Sequence, residues 1–192
     1  ATRSMTEGGG SSELKARYEV APLEAIRKTY RNATITYAMG YSSGPSAYGR
    51  EIPSDLDQNQ LRREAIQIAK YADVVLFIGG LNKNHYQDCE AGDRKNMSLP
   101  FGQNELLNDL LAVNSNVAVV LISGNAVSMP WLDKVDALMQ AWYLGSEAGN
   151  AIVSVLSGQT NPSGKLPFSF PAKLSDNGAH AFDALSYPGD SI

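Results

Sequence analysis

A chain of 192 residues, 43% hydrophobic and 19% charged, has the size and composition of one globular domain with a full core, not of a disordered segment. A formal net charge of -4 leaves no basic footprint for nucleic acid or an anionic membrane surface, and no apolar run is long enough to cross a bilayer. The single cysteine, Cys89, excludes an internal disulfide.

Residues 1–12, ATRSMTEGGGSS, carry a glycine triplet and lack the apolar core of a signal peptide; on composition alone they read as a flexible end. Pro22 opens a short helix containing Leu23, Ile26 and Tyr30, since proline suits the first helical position. Residues 34–38 alternate as a strand would, and 40–53 form a turn-rich connection. Ser54 is expected to cap the next helix, with Asp55 and Asp57 at its positive end and an apolar face through Leu61, Ala65, Ile68, Ala69 and Ala72.

Residues 74–78 have the length and β-branched, aromatic content of a buried strand. The strand ends at Gly79-Gly80 and empties into a long polar loop that Pro100 closes. A second amphipathic helix follows over 103–114, then an apolar strand from Val117 to Ile122. After a helical turn around Pro130-Trp131-Leu132 comes a strand over 137–142. Ser146 is expected to cap a helix running to Leu156, with Gly158 just past its end. Residues 166–170 read as a last strand, which Pro167 confines to an edge or a strand start, and 172–192 as a surface wrap. Alternating strands and helices, with strands that are continuous apolar runs, predict an α/β fold: one three-layer α/β/α sandwich over residues 1–192 with a mainly parallel sheet.

In such a sheet ligands bind beyond the carboxyl ends of the strands, which makes the polar loop after Gly80 the place for chemistry. No G-x-G-x-x-G, phosphate loop or G-x-S-x-G elbow occurs, which argues against nucleotide binding and serine-hydrolase chemistry. His85, Asp88, Cys89 and Glu90 lack the repeated His and Cys spacing of a zinc site, and no metal is expected. Arg94 beside Asp93 points to a salt bridge that supports the loop. The residue types leave Glu90 either a solvated carboxylate or, on a partly buried loop, a general acid.

The run Glu90-Ala91-Gly92-Asp93-Arg94, then Leu99-Pro100 and Gln103, resembles the E-x-x-D-R…L-P…Q pattern of the second domain of family 3 glycoside hydrolases. Trp131-Leu132-Asp133, Ala141-Trp142-Tyr143, Gly145-Ser146-Glu147-Ala148-Gly149-Asn150-Ala151, Asn161-Pro162-Ser163-Gly164-Lys165-Leu166-Pro167 and Phe170-Pro171 continue it in the family's order, across about residues 20 to 190. The resemblance is to β-glucosidase-type members.

That resemblance implies a retaining hydrolase of terminal β-D-glucosyl residues, without a cofactor. An aspartate of an N-terminal β/α barrel attacks the anomeric carbon, and a carboxylic acid of the sandwich loop protonates the leaving oxygen. By motif match Glu90 is that acid/base, with Asp88 as runner-up. Asn84, His85 and Tyr86 are the expected substrate contacts. The partners implied are a β-glucoside or oligosaccharide and the barrel of the same enzyme, in a periplasmic or secreted setting. The barrel and a first strand lie outside these 192 residues, so the chain alone is expected to be inactive and its sheet to have an unpaired edge. Residues 8–12 resemble the family's loop that approaches the sugar cleft. The alternative is a non-catalytic domain that contacts carbohydrate or docks on a partner; Trp131, Trp142 and Tyr143 are its candidate stacking residues, although both tryptophans flank apolar segments that favour a core role.

Overall fold

The structure is a computed structural model that describes residues 14–45, 47, 49–90 and 92–180. The glycine triplet and the last twelve residues therefore lie outside the described residues. Helix α1 (Pro22–Thr29) is followed by α2 (Gln58–Ala69), β1 (Val75–Gly80), α3 (Gln103–Val113), β2 (Val117–Ile122), β3 (Ala137–Gln140) and α4 (Ala148–Leu156). Among the described residues three strands form one parallel sheet in the order β1-β2-β3, with Val75 opposite Val117 and Ala118 opposite Ala137.

Side chains alternate across this sheet and feed two cores, as the period of two in a strand requires. Phe77, Val117, Val119 and Leu121 point to one face, where Ala65 and Ala69 of α2, Leu106, Leu107 and Leu110 of α3, and Trp131 cover them. Val120 and Ala141 point to the other, where they meet Ile152 of α4, flanked by Leu76, Ile78 and Met139. Helix α1 packs on α4 outside that second core. This is the three-layer α/β/α sandwich that the apolar strands predicted. Trp131 is completely buried, as its apolar neighbours led one to expect.

Four local expectations are corrected. Residues 34–38 form no strand and pair with none of the described residues; residues 36–45 and β1 instead both line a cleft of about 740 Å³. Without a ladder partner an alternating sequence is not a strand. Residues 166–170 also stay outside the sheet: Pro167 has no N–H to donate, and Phe168 and Phe170 instead stack on each other and edge onto Trp142. The cap of α2 is Asp57, whose Oδ1 accepts from the N–H groups of Asn59 and Gln60 at 2.8 and 3.2 Å, while the Ser54 hydroxyl turns to Ser42. Ser146 caps nothing, since a 3-10 turn over Gly145–Glu147 carries the chain into α4; its carbonyl accepts from Val20 N–H.

The glycine-rich run before α4 belongs to this packing. A Cβ on Gly149 would lie 2.5 Å from the carbonyl oxygen of Ala21 and 2.6 Å from that of Val20, so only glycine lets residues 20–21 cross the helix there. Gly149 N–H donates to Val20 O, and the Tyr18 hydroxyl to Glu147. These contacts seat the segment leading into α1 on the start of α4.

Candidate functional site

All three strands run parallel, so their carboxyl ends lie along one edge of the sheet, and the loops leaving them meet there. Gly79-Gly80 ends β1 under tight constraint. A Cβ on Gly80 (φ 140°) would sit 1.9 Å from the carbonyl oxygen of Ile122, and one on Gly79 would meet Phe77 and the Gln103 amide. Gln103 is completely buried; its Oε1 accepts from Gly80 N–H at 2.8 Å, and its Nε2 donates to the carbonyls of Gly80 (2.8 Å) and Pro100 (3.0 Å). One side-chain amide thus stands in for a missing strand neighbour and closes the loop at both ends.

Inside the loop the side chains divide by task. Asn84 is 1% exposed; its Oδ1 accepts from Ala47 N–H and its Nδ2 donates to Pro45 O, so its amide is committed to backbone and not to a ligand. Gln87 is also buried and accepts from Asn82 N–H. His85 is half-buried with its ring centroid 3.7 Å from that of Tyr86. Tyr86 is 40% exposed, has φ 61°, and carries the Lys95 ammonium 4.1 Å above its ring. A tyrosine in the left-handed region is strained backbone of the kind that gathers at ligand sites.

Asp88 sits where the three strand exits converge. Its Oδ2 accepts from Gly124 N–H after β2 (2.6 Å) and from the Tyr143 hydroxyl after β3 (2.6 Å), and its Oδ1 accepts from the Asn125 amide (2.8 Å). Trp142 takes φ 54°, which ends β3 two residues earlier than its apolar run predicts and brings Tyr143 onto Asp88. The Lys83 ammonium lies 3.9 Å over the Tyr143 ring. Burial pushes the Tyr143 phenol upward, and the Asp88 charge and hydrogen bond add to the effect. Burial also lowers Lys83, against the attraction of Asp88 and then Cys89.

Arg94 supports the loop, but not as an ion pair with Asp93, which is exposed. Among the described residues the ion pairs are Arg62–Asp109 and Arg63–Asp57. Arg94 reaches away from its sequence neighbour: its Nη2 donates to Ala126 O, binding the loop to the segment after β2. Burial lowers its pKa, with the Asp88 and Tyr143 charges opposing.

Glu90 lies two residues beyond Asp88 and is exposed. The loop thus carries an exposed carboxyl group at Glu90 and, two residues before it, the hydrogen-bonded and partly buried Asp88, close to Tyr143 and Lys83. Sequence reasoning missed the roles of Lys83, Asn125 and the Tyr143 hydroxyl; their common signal is that each follows a strand's carboxyl end. Among the described residues no three His, Cys, Asp or Glu side chains are grouped so as to hold a metal.

Residues 1–190 match the glycosyl hydrolase family 3 C-terminal domain. Over 193 aligned residues the chain is 51% identical to the beta-glucosidase BoGH3A of Bacteroides ovatus, an alignment that covers 100% of this chain and 26% of that protein. It is 42% identical to the probable beta-glucosidase I of Emericella nidulans, over 88% of this chain and 21% of that one. The crystal structure of a GH3 beta-glucosidase from Bifidobacterium adolescentis is similar over 95% of the chain and 25% of its own, with a TM-score of 0.76 and 31% identity. The beta-glucosidase of Kluyveromyces marxianus, crystallised with glucose, is similar over 67% of this chain and 15% of its own, with a TM-score of 0.61 and 42% identity. The chain therefore spans about a quarter of the length of the first of these relatives.

Proposed function

The chain belongs to the glycosyl hydrolase family 3 C-terminal domain family, and from that premise we propose that it is the acid/base half of a retaining β-glucosidase. Its substrate is a terminal β-D-glucosyl residue of a glucoside or oligosaccharide. A barrel domain of the same enzyme supplies the aspartate nucleophile and the facing wall of the cleft. Glu90 protonates the departing glycosidic oxygen and, in the second step, takes a proton from the water that releases the sugar. The two carboxyl groups then stand about 5–5.5 Å apart when the domains meet.

The observation that carries this reading is the placement of Glu90: exposed, at the carboxyl edge of a parallel sheet, on a loop that its neighbours tie down on both sides. A group that meets a substrate held by another domain must be both accessible and fixed. Of the other expected contacts, His85 and Tyr86 are the ones proposed to face the sugar, whereas Asn84 shapes the loop from below. The setting proposed from the family is periplasmic or secreted.

The test is Glu90→Gln in the whole enzyme, with the barrel present. Hydrolysis of glucosides with poor leaving groups should fall about 10²–10⁴-fold, the usual worth of a general acid. On an activated aryl glucoside, whose leaving group departs without a proton, azide should replace the water of the second step, speed turnover and yield β-glucosyl azide. Undiminished hydrolysis by that variant would remove Glu90 from the reaction.

A further inference from the structure

Asp88 is the carboxylate that the loop sequence sets beside Glu90 as a rival for the acid role, and its surroundings point elsewhere. Both of its oxygens face donors: Gly124 N–H and the Tyr143 hydroxyl on Oδ2, the Asn125 amide on Oδ1. Three of the roughly four acceptor sites of the carboxylate are thereby committed to the protein itself. Its own N–H donates to Asn82 O at 2.9 Å, so its backbone is anchored as well as its side chain. The donors come from the exits of β2 and β3, whereas Asp88 belongs to the exit of β1. Room for this meeting is narrow: a Cβ on Gly124 would lie 3.1 Å from the Tyr143 ring and 3.4 Å from Asp88 Oδ2.

We propose that Asp88 is a positioning residue for the acid/base, clamping the loop across all three strand exits so that Glu90, two residues on, is held at one height above the sheet. This rests on the assignment of Glu90 made above. Glu90 follows two residues on, so the contacts of Asp88 hold the backbone that leads into it. Arg94, whose guanidinium reaches Ala126 O, holds the other side. Release of Asp88 would leave the acid chemically intact but spread over a wider range of positions.

The experiment is a double-mutant cycle in the whole enzyme, with E90Q, D88A and the double variant assayed on two aryl β-glucosides. One carries a poor leaving group that needs a proton; the other carries dinitrophenol, which departs without one. D88A should lower kcat/KM about 10²-fold on the first, as a misplaced group does, and by less than about tenfold on the second. The double variant should be no slower than E90Q alone, because both changes act on the same proton transfer. Equal losses on the two substrates, or losses that multiply, overturn the proposal and leave Asp88 a structural residue. Azide restoring D88A with formation of β-glucosyl azide also overturns it, since Asp88 would then be the acid. Should D88A fail to fold, Y143F, which removes one donor and keeps the carboxylate, carries the same cycle with a smaller loss expected. E90Q that loses nothing on the poor leaving group overturns the Glu90 reading as well, a result distinct from a failure confined to Asp88.

Discussion

Gln103 shows how a single side chain can replace a strand. Its amide occupies both the N–H and the C=O of Gly80 and also reaches the carbonyl of Pro100. Gln103→Leu keeps the bulk and strands these groups where water cannot reach them. Since an unsatisfied buried polar group costs about 1–3 kcal/mol, a loss of about 3 kcal/mol is expected in urea unfolding. A change below about 0.5 kcal/mol would refute this account of the strand end. The Tyr18–Glu147 contact gives a second residue-level expectation, this time with pH. Hydrogen bonds from Tyr18 first and Asn150 second hold the Glu147 carboxyl below its ordinary value. A lowered carboxylate contributes above its unfolded pKa and loses that contribution as pH falls through the folded one. The Tyr18 phenol is raised, chiefly by its hydrogen bond to Glu147, so its contribution is full below the ordinary tyrosine range and lost as pH rises through the raised value. The protection factors of the Val20 and Gly149 amides, that is, their exchange relative to the unfolded-chain rate at each pH, should therefore be lowest at the two extremes and highest near neutrality. Protection factors that do not change with pH would count against the tether.

Among the elements, α2 is the most exposed to a local test. Its start depends on Asp57 Oδ1, which serves two N–H groups, and the helix has no acidic residue in its first turn to compensate. Asp57→Ala should cost about 1 kcal/mol and leave the sheet intact, measured as a lower thermal midpoint with unchanged secondary structure. Loss of less than about 0.3 kcal/mol would transfer the cap to Ser54 after all. The ion pair joining α2 to α3, Arg62–Asp109, is over one-third exposed on both sides, and so is worth less than the cap despite its short 2.5 Å contact. The strands teach the complementary lesson. Both the 34–38 segment and the β3 run read as strands in sequence, yet only β3 lies within ladder distance of a neighbour, β2.

For the whole molecule, a proton donor without a nucleophile cannot carry out double displacement. These 192 residues by themselves are accordingly expected to show no hydrolysis of aryl β-glucosides above a buffer blank. Turnover by the chain alone that disappears in Glu90→Gln would show that the second carboxylate is within it. The 51% identical relative is about four times the chain's length, which agrees with the proposal that the loop over the strand exits forms one wall of a cleft shared with another domain.

Layering was legible in the residues themselves, because apolar runs over 74–78, 117–122 and 137–142 can be satisfied only by burial on both faces. The loop that carries Glu90 was legible too, since polar residues gather after Gly79-Gly80 and Asp93-Arg94 follow at the family's spacing. Which carboxylate is spent and which is exposed was not. Asp88 and Glu90 are chemically alike and two positions apart. They diverge because Gly124, Asn125 and Tyr143, 36 to 55 residues further along, converge on one of them. The partners of Asn84 and Arg94 were hidden for the same reason: hydrogen bonds to distant backbone leave no period in the sequence, and only the crossing of parallel strands brings their ends together.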